Sequence, residues 1–297
     1  FTRAKKKEVG RIYTFYFSYT IKTNGPFVLF DKTTHQTTHQ PTMESVINLS
    51  ELSWISVATL PKELLQQYDE RWVELWNLRN EWKGSKVITG GITRESPRIH
   101  ASFGVVPSYK GTEPSYMFSG SDGICAKGST HPIPNLLKEL VDHFNNHTSG
   151  GHYNEVTLNW YEDGNNYTAQ HADYMEGMVE SLPIVIVTFC PEGSMEQGNL
   201  RQFLVRSKDE HILHGDGTTE GVSDGRFARP DRAASDTSKK LSLRYFDNLA
   251  LPTYHGQIIR MGGKTQEEFR HGIPKYSADP TKCAPRVSVT LRAYKIL

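Results

Sequence analysis

His171 and Asp173 stand two residues apart at the end of the segment Asn159-Trp-Tyr-Glu-Asp-Gly-Asn-Asn-Tyr-Thr-Ala-Gln-His-Ala-Asp. In an extended chain, residues i and i+2 project to the same face, so this imidazole and carboxylate can ligate one ion. With a second histidine the set becomes the two-histidine, one-carboxylate arrangement that grips one side of Fe(II) and leaves positions open for co-substrate and oxygen. A His-x-Asp pair alone is common, and it equally describes two polar residues of a surface turn. Near the C-terminus, Arg286-Val-Ser-Val-Thr-Leu-Arg292 alternates strictly, with Val287, Val289 and Leu291 on one face and Arg286, Ser288, Thr290 and Arg292 on the other. A buried face carrying two guanidinium groups needs anions to pair with. Their α-carbons are roughly 20 Å apart at about 3.3 Å per residue, so a short dicarboxylate between them fits better than one shared carboxylate. On an edge strand the same pattern would be two solvated arginines in surface salt bridges.

The elements that must position these groups are legible as changes of period. From Pro61 to Gly84, Leu65, Tyr68, Trp72, Leu75 and Trp76 recur at helical spacing, and a second helix is predicted from Pro134 to about His147 with Leu137, Leu140, Val141 and Phe144 on one face. Both stripes read as core packing. Short strands follow at Glu155–Tyr161, Ile184–Phe189, Gln202–Val205, Gln257–Met261 and Arg286–Tyr294, so the C-terminal half is mostly sheet. Ser207 to Leu249 is a long Gly-, Asp-, Ser- and Arg-rich segment, of a kind uncommon in a compact domain unless functional or disordered. Its Arg226, Arg229, Arg232, Lys239, Lys240 and Arg244 read either as phosphate contacts or as a solvated basic loop. Among the first sixty residues, Tyr13 to Tyr19 reads as a strand and Thr33 to Thr42 as a polar loop.

Composition bounds the rest. The 34 Lys and Arg residues almost balance 33 Asp and Glu, so attraction to nucleic acid must come from local patches and not from the whole molecule's field. Cys125, Cys190 and Cys283 are too scattered for a disulfide framework, which fits a reducing compartment. No run of about 18 apolar residues is present, and the basic start, Arg3 to Lys7, has no apolar segment with a cleavage site. The expectation is a soluble intracellular monomer of the nucleus and/or cytoplasm that engages no membrane.

Together these residues resemble the AlkB-like Fe(II)/2-oxoglutarate-dependent dioxygenases, in particular the eukaryotic DNA and RNA repair demethylases. The family pattern Asn-x-Tyr, His-x-Asp, His, Arg-x-Asn-x-Thr-x-Arg appears in order as Asn159-Trp-Tyr161, His171-Ala-Asp173, His271 and Arg286-Val-Ser288-Val-Thr290-Leu-Arg292. The resemblance runs from about Ser96 to Arg292 and takes in Pro97-Arg98, Tyr116-Met-Phe118-Ser119-Gly120, Pro183-Ile184, Arg201-Gln-Phe203 and His255-Gly256. It implies an α+β fold, a double-stranded β-helix (jelly-roll) core with flanking helices spanning residues 61–297, preceded by an extension of unclear role at 1–60. It further implies that His171, Asp173 and His271 bind Fe(II) and form the catalytic centre. Arg286 would hold the distal carboxylate of 2-oxoglutarate, with Tyr161 hydrogen-bonding to it. Asn159 and Arg292 would serve the end that chelates iron, Arg292 also orienting Asp173.

Ser288 replaces the family's usual Asn, and its hydroxyl can still donate to a carboxylate. On motif order His255 is structural, and His211, His214 and Asp216 are solvated turn residues. Tyr116, Phe118 and Ser119 would line the pocket of a base flipped out of its helix, since a methyl group on the pairing edge is inaccessible inside a duplex. The implied activity is oxidative dealkylation of N-alkylated bases in methylated DNA or RNA. It uses Fe(II), O2 and 2-oxoglutarate and releases formaldehyde, succinate and CO2. The alternative is a hydroxylase or demethylase of a protein or small molecule, because one fold hosts many substrates. Many repair members carry an acidic residue two positions after the metal Asp, where this chain reads Asp173-Tyr-Met175-Glu176.

Overall fold

Runs of β-branched and aromatic residues punctuated by Gly, Pro and Asn favour short strands over long helices, and strands dominate the structure. The computed structural model describes residues 17–22, 29–34, 44–82, 86–89, 92–104, 132–191, 200–208, 211–213, 219–221, 248–276 and 279–295. The strands that build the site are β1 (Ser45–Asn48), β2 (Ser53–Thr59), β3 (Ile99–Phe103), β4 (Glu155–Tyr161), β5 (Thr168–His171) and β6 (Ile184–Phe189), followed by β7 (Gln202–Ser207), β8 (Asn248–Pro252), β9 (Gln257–Gly263), β10 (Phe269–Ile273) and β11 (Arg286–Arg292). The helices are α1 (Lys62–Glu70), α2 (Trp72–Asn77), α3 (Asn135–Asn146) and the single turn α4 (Thr265–Glu268).

A seven-stranded sheet has the order β1-β2-β9-β6-β11-β4-β3, and a four-stranded sheet the order β8-β7-β10-β5. Every pairing in them is antiparallel. Ile186, Ile259 and Met261 of the larger sheet pack with Phe203, Val205, Leu251 and Phe269 of the smaller, so the two face each other across an apolar seam. This is the expected jelly-roll core. The outer face of the larger sheet is covered by α1, α2 and α3 through Tyr68, Leu75, Leu137, Leu140 and Phe144. Truncating one of these buried side chains to alanine costs about 2–5 kcal/mol.

Strand β11 lies between β6 and β4, inside the larger sheet, and all seven of its residues are buried. Val287, Val289 and Leu291 join the helix-side core. Alternation therefore turns Arg286, Ser288, Thr290 and Arg292 toward the space between the sheets, which rules out solvated arginines on an edge strand. Directly opposite on β4 stand Tyr161, Asn159, Thr157 and Glu155, paired in register with Arg286, Ser288, Thr290 and Arg292.

Three findings refine the sequence reading. The helix expected from Pro61 to Gly84 breaks at Arg71 (φ −105°, ψ 14°) and ends in a 3-10 turn, Leu78–Trp82. The break keeps Tyr68 and Leu75 both buried while Trp72 and Trp76 stack with centroids 5.5 Å apart. Within the first sixty residues, β1 and β2 are part of the larger sheet, β2 pairing with β9 over its whole length. Of the long 207–249 segment, the strands His211–Leu213 and Thr219–Gly221 pair with each other. Its His214, Asp216 and six basic side chains lie outside the described residues, as does Tyr13 to Tyr16 of the expected early strand. Among the described residues no helix is long and apolar enough to cross a membrane.

Candidate metal and co-substrate site

Pairing of β5 with β10 sets His171 directly opposite His271. Residues so opposed in an antiparallel ladder share a face, and the two rings lie 4.4 Å apart. Gly272 is the reason the strands can close here, since a Cβ at this position would sit 2.6 Å from the carbonyl oxygen of Thr168. Two residues beyond His171 the chain brings in Asp173, whose Oδ1 is 3.3 Å from His171 Nε2 and 4.0 Å from His271 Nε2. Ligand atoms sharing one ion at bond lengths of about 2.1 Å lie at most about 4.2 Å apart, so the spacing suits a metal. Among the described residues this trio is the one group of His, Cys, Asp or Glu whose ligand atoms cluster within 4.8 Å.

The protonation states suit ligation. His171 Nδ1 donates to the carbonyl of Ala169 at 2.9 Å, which leaves Nε2 as the lone-pair donor. Burial, with the neighbouring His171, pushes His271 down to about 3, so the ring is neutral near pH 7. Phe203 stacks on it at 5.5 Å. Burial alone would raise the Asp173 carboxyl, but the Arg292 guanidinium and the His171 contact hold it well below the usual carboxylate range. Arg292 donates to Asp173 Oδ2 through Nε at 3.1 Å and Nη2 at 2.9 Å. From α4, Gln266 Oε1 accepts the Asp173 backbone N–H at 2.8 Å.

Above the trio opens a cleft lined by Asn159, Tyr161, Arg286, Ser288 and Arg292 together with the two histidines. Arg286 is 2 % exposed. Its Nη2 donates to Thr188 Oγ1 at 3.1 Å, and its guanidinium lies 4.9 Å from the Tyr161 ring centroid. Its Nε and Nη1 have no hydrogen-bond partner among the described residues. A buried guanidinium with two unsatisfied donors calls for an anionic ligand, and the carboxylate of a dicarboxylic acid supplies one. Arg98 also enters the cleft and donates through Nε to Asn159 Oδ1 at 2.6 Å, so the Asn159 amide NH2 is the end available to a ligand. The Tyr161 hydroxyl lies 2.6 Å from Thr168 Oγ1.

His171, Asp173, His271, Asn159, Tyr161, Arg286, Ser288 and Arg292 are thus brought together from positions spread over more than a hundred residues. Tyr116, Phe118 and Ser119 lie outside the described residues. His255 is away from the cleft: its Nδ1 accepts the Cys190 N–H at 3.0 Å and its Nε2 lies 2.7 Å from Asp69 Oδ1, tying a turn with Gly256 at φ +74° to α1. Sequence reasoning missed Glu155, Thr157 and Gln266. The first two share the parity of Asn159 and Tyr161 along β4, and that alternation was the available signal.

Residues 56–292 match the 2OG-Fe(II) oxygenase superfamily, and the chain belongs to it. That superfamily uses Fe(II) and 2-oxoglutarate, and the His-Asp-His trio and the orphaned donors of Arg286 fit both. The chain is similar to the mouse protein named alpha-ketoglutarate-dependent dioxygenase alkB homolog 3, 25 % identical over 71 % of this chain and 56 % of the relative. It is also similar to proteins named DNA oxidative demethylase ALKBH2. The one from Arabidopsis thaliana is 28 % identical over 52 % of this chain and 42 % of its own length. The human one is 26 % identical over 60 % of this chain and 51 % of its own length. The chain spans about half the length of these curated relatives.

Proposed function

We propose that this oxygenase removes small alkyl groups from nucleobases of DNA or RNA, a methyl carbon leaving as formaldehyde. The observation that carries the oxygenase chemistry is the buried Arg286, two of whose donors have no partner among the described residues, at the same cleft as the His-Asp-His trio. Similarity to proteins named as DNA oxidative demethylases supports the nucleobase as substrate.

When bound, Fe(II) with 2-oxoglutarate and O2 supplies the power to hydroxylate an unactivated C–H bond, the co-substrate ending as succinate and CO2. The chain's own residues aim that chemistry. Arg286 anchors the distal carboxylate, and Asn159 offers an amide N–H nearby. Arg292 holds Asp173 Oδ2, so that Oδ1 stays toward the two histidines. Hydroxylation of an N-methyl carbon gives a hemiaminal, which expels formaldehyde and restores the base. The base reaches the cleft by flipping out of its stack, and Tyr116, Phe118 and Ser119 are proposed as the wall it meets.

The test is formaldehyde release from single- and double-stranded DNA and RNA oligonucleotides carrying 1-methyladenine, 3-methylcytosine or N6-methyladenine, beside a His171→Ala control. Release by the wild type, lost in the control, identifies the polymer and the base. Turnover of 2-oxoglutarate with every oligonucleotide unchanged would move the reading to a protein or small-molecule substrate.

A further inference from the structure

We propose that Glu155 is a positioning residue of the metal centre, acting on Asp173 through Arg292. The proposal rests on the reading that His171, Asp173 and His271 hold the metal. Glu155 is the first residue of β4, fully buried, and faces Arg292 across the β4–β11 ladder. Arg292 Nη1 donates to Glu155 Oε2 at 3.1 Å and to Thr157 Oγ1 at 2.9 Å, while Nε and Nη2 donate to Asp173 Oδ2. The Thr157 hydroxyl in turn donates to Glu155 Oε1 at 2.5 Å. One guanidinium is therefore held from both sides, by a carboxylate that faces the histidines and by one that does not.

Burying a second carboxylate at the start of a core strand is costly, and an apolar residue would serve packing as well. What it changes is charge and aim. Asp173 and Arg292 alone form a neutral pair, which offers a divalent ion little net attraction. Burial raises the Glu155 carboxyl against the opposing pull of Arg292 and the Thr157 hydroxyl; with Glu155 ionised the three groups carry one negative charge, so Arg292 can orient Asp173 without cancelling it. Glu155 and Thr157 also pin the far side of the guanidinium. The near side then fixes Oδ2, leaving Oδ1 3.3 Å from His171 Nε2 and 4.0 Å from His271 Nε2. Groups that orient metal ligands in this way typically change metal affinity by about 10- to 100-fold when removed.

The test is titration of the full metal-free chain with Mn(II), free ion being read by electron paramagnetic resonance, for the wild type and for Glu155→Ala, Glu155→Gln, Thr157→Val and His171→Ala. Circular dichroism and the melting temperature of each metal-free protein are measured alongside. Glu155→Ala should weaken Mn(II) binding about 10- to 100-fold. Glu155→Gln, which keeps the shape and one acceptor but removes the charge, should weaken it by several-fold or more, as should Thr157→Val. A residue needed only for folding would lower the melting temperature and leave the affinity of the folded protein unchanged. If Glu155→Ala does not fold, Glu155→Gln decides the matter. Unchanged Mn(II) affinity in a folded Glu155→Gln protein overturns the proposal while wild-type binding and its loss in His171→Ala uphold the metal centre. Failure of the wild type to bind Mn(II), or unaltered binding in His171→Ala, overturns the metal-centre reading and this proposal with it.

Discussion

Arg286 is the residue on which the co-substrate reading turns, because among the described residues its buried fork has one hydrogen-bond partner, Thr188 Oγ1, and two donors left over. Truncating one member of a buried charge pair costs about 2 kcal/mol or more, equivalent to about 30-fold in affinity. Arg286→Ala should therefore raise the KM for 2-oxoglutarate at least about 30-fold. Arg286→Lys, a point charge in place of a planar fork, should recover only part of that loss. Steady-state succinate formation against 2-oxoglutarate concentration checks both, and an unchanged KM in Arg286→Ala would remove Arg286 from the carboxylate site. At Ser288 a hydroxyl stands where the family usually has an amide, and Ser288→Asn should shift the same KM by less than about tenfold, both side chains being donors. At this scale the polar face of β11 was legible in alternation, whereas spacing left His171 and Asp173 open to a surface turn and His271 joined them only through the motif order of the family resemblance. Gln266 was not, because its bond to the Asp173 N–H joins residues 93 apart that only the closed fold brings together.

Strand pairing turns those residues into a site. His171 and His271 meet because β5 pairs with β10, and Gly272 keeps that pairing close. Gly272→Ala would place a methyl group 2.6 Å from the Thr168 carbonyl oxygen. Overpacking of this kind costs about 1–3 kcal/mol, and here it should also separate the two imidazoles. The expected outcome is a lower melting temperature together with weaker Mn(II) binding; a drop in melting temperature with metal affinity intact would show that β5 and β10 yield elsewhere. On β3, His100 is buried with Ser96 Oγ 3.2 Å from its Nδ1, and burial, with the charge of Arg98, pushes it down to about 4 from 6.5. The unfolded chain binds that proton near pH 6.5 and the folded one does not. The stability this neutral ring contributes is thus full above about pH 6.5 and is lost as pH falls toward 4, about 3 kcal/mol over the window. Urea unfolding of the metal-free protein at pH 7 and 4.5 should show His100→Gln losing less stability than the wild type. Equal losses would mean that His100 titrates normally in the fold. Element types were legible from period, as was α3 almost to the residue; the break at Arg71 was not, since the apolar stripe runs through it.

Across the described residues, the two larger sheets, with α1, α2 and α3 packed on one of them, frame the cleft between the sheets. The helices cover the outer face of the larger sheet and leave its polar row of Arg286, Ser288, Thr290 and Arg292 facing inward. That a buried row of this kind needed anions was legible from alternation. Which anions was not: Arg292 meets two protein carboxylates, Asp173 and Glu155, while Arg286 retains donors for a ligand. The membership of β1 and β2 in the larger sheet was hidden because β2, on which β1 pairs, joins the sheet through β9, some 200 residues further along the chain. Near-neutral net charge leaves any hold on a polynucleotide to local contacts. The central claim, that this cleft couples oxidation of 2-oxoglutarate to removal of a base methyl group, is tested most directly by the ratio of succinate to formaldehyde formed on the best methylated oligonucleotide. The account predicts near-equal amounts of the two, both absent in His171→Ala and both reduced in Arg286→Ala at subsaturating 2-oxoglutarate. Succinate formed at the same rate with and without the methylated oligonucleotide, and no formaldehyde, would contradict it.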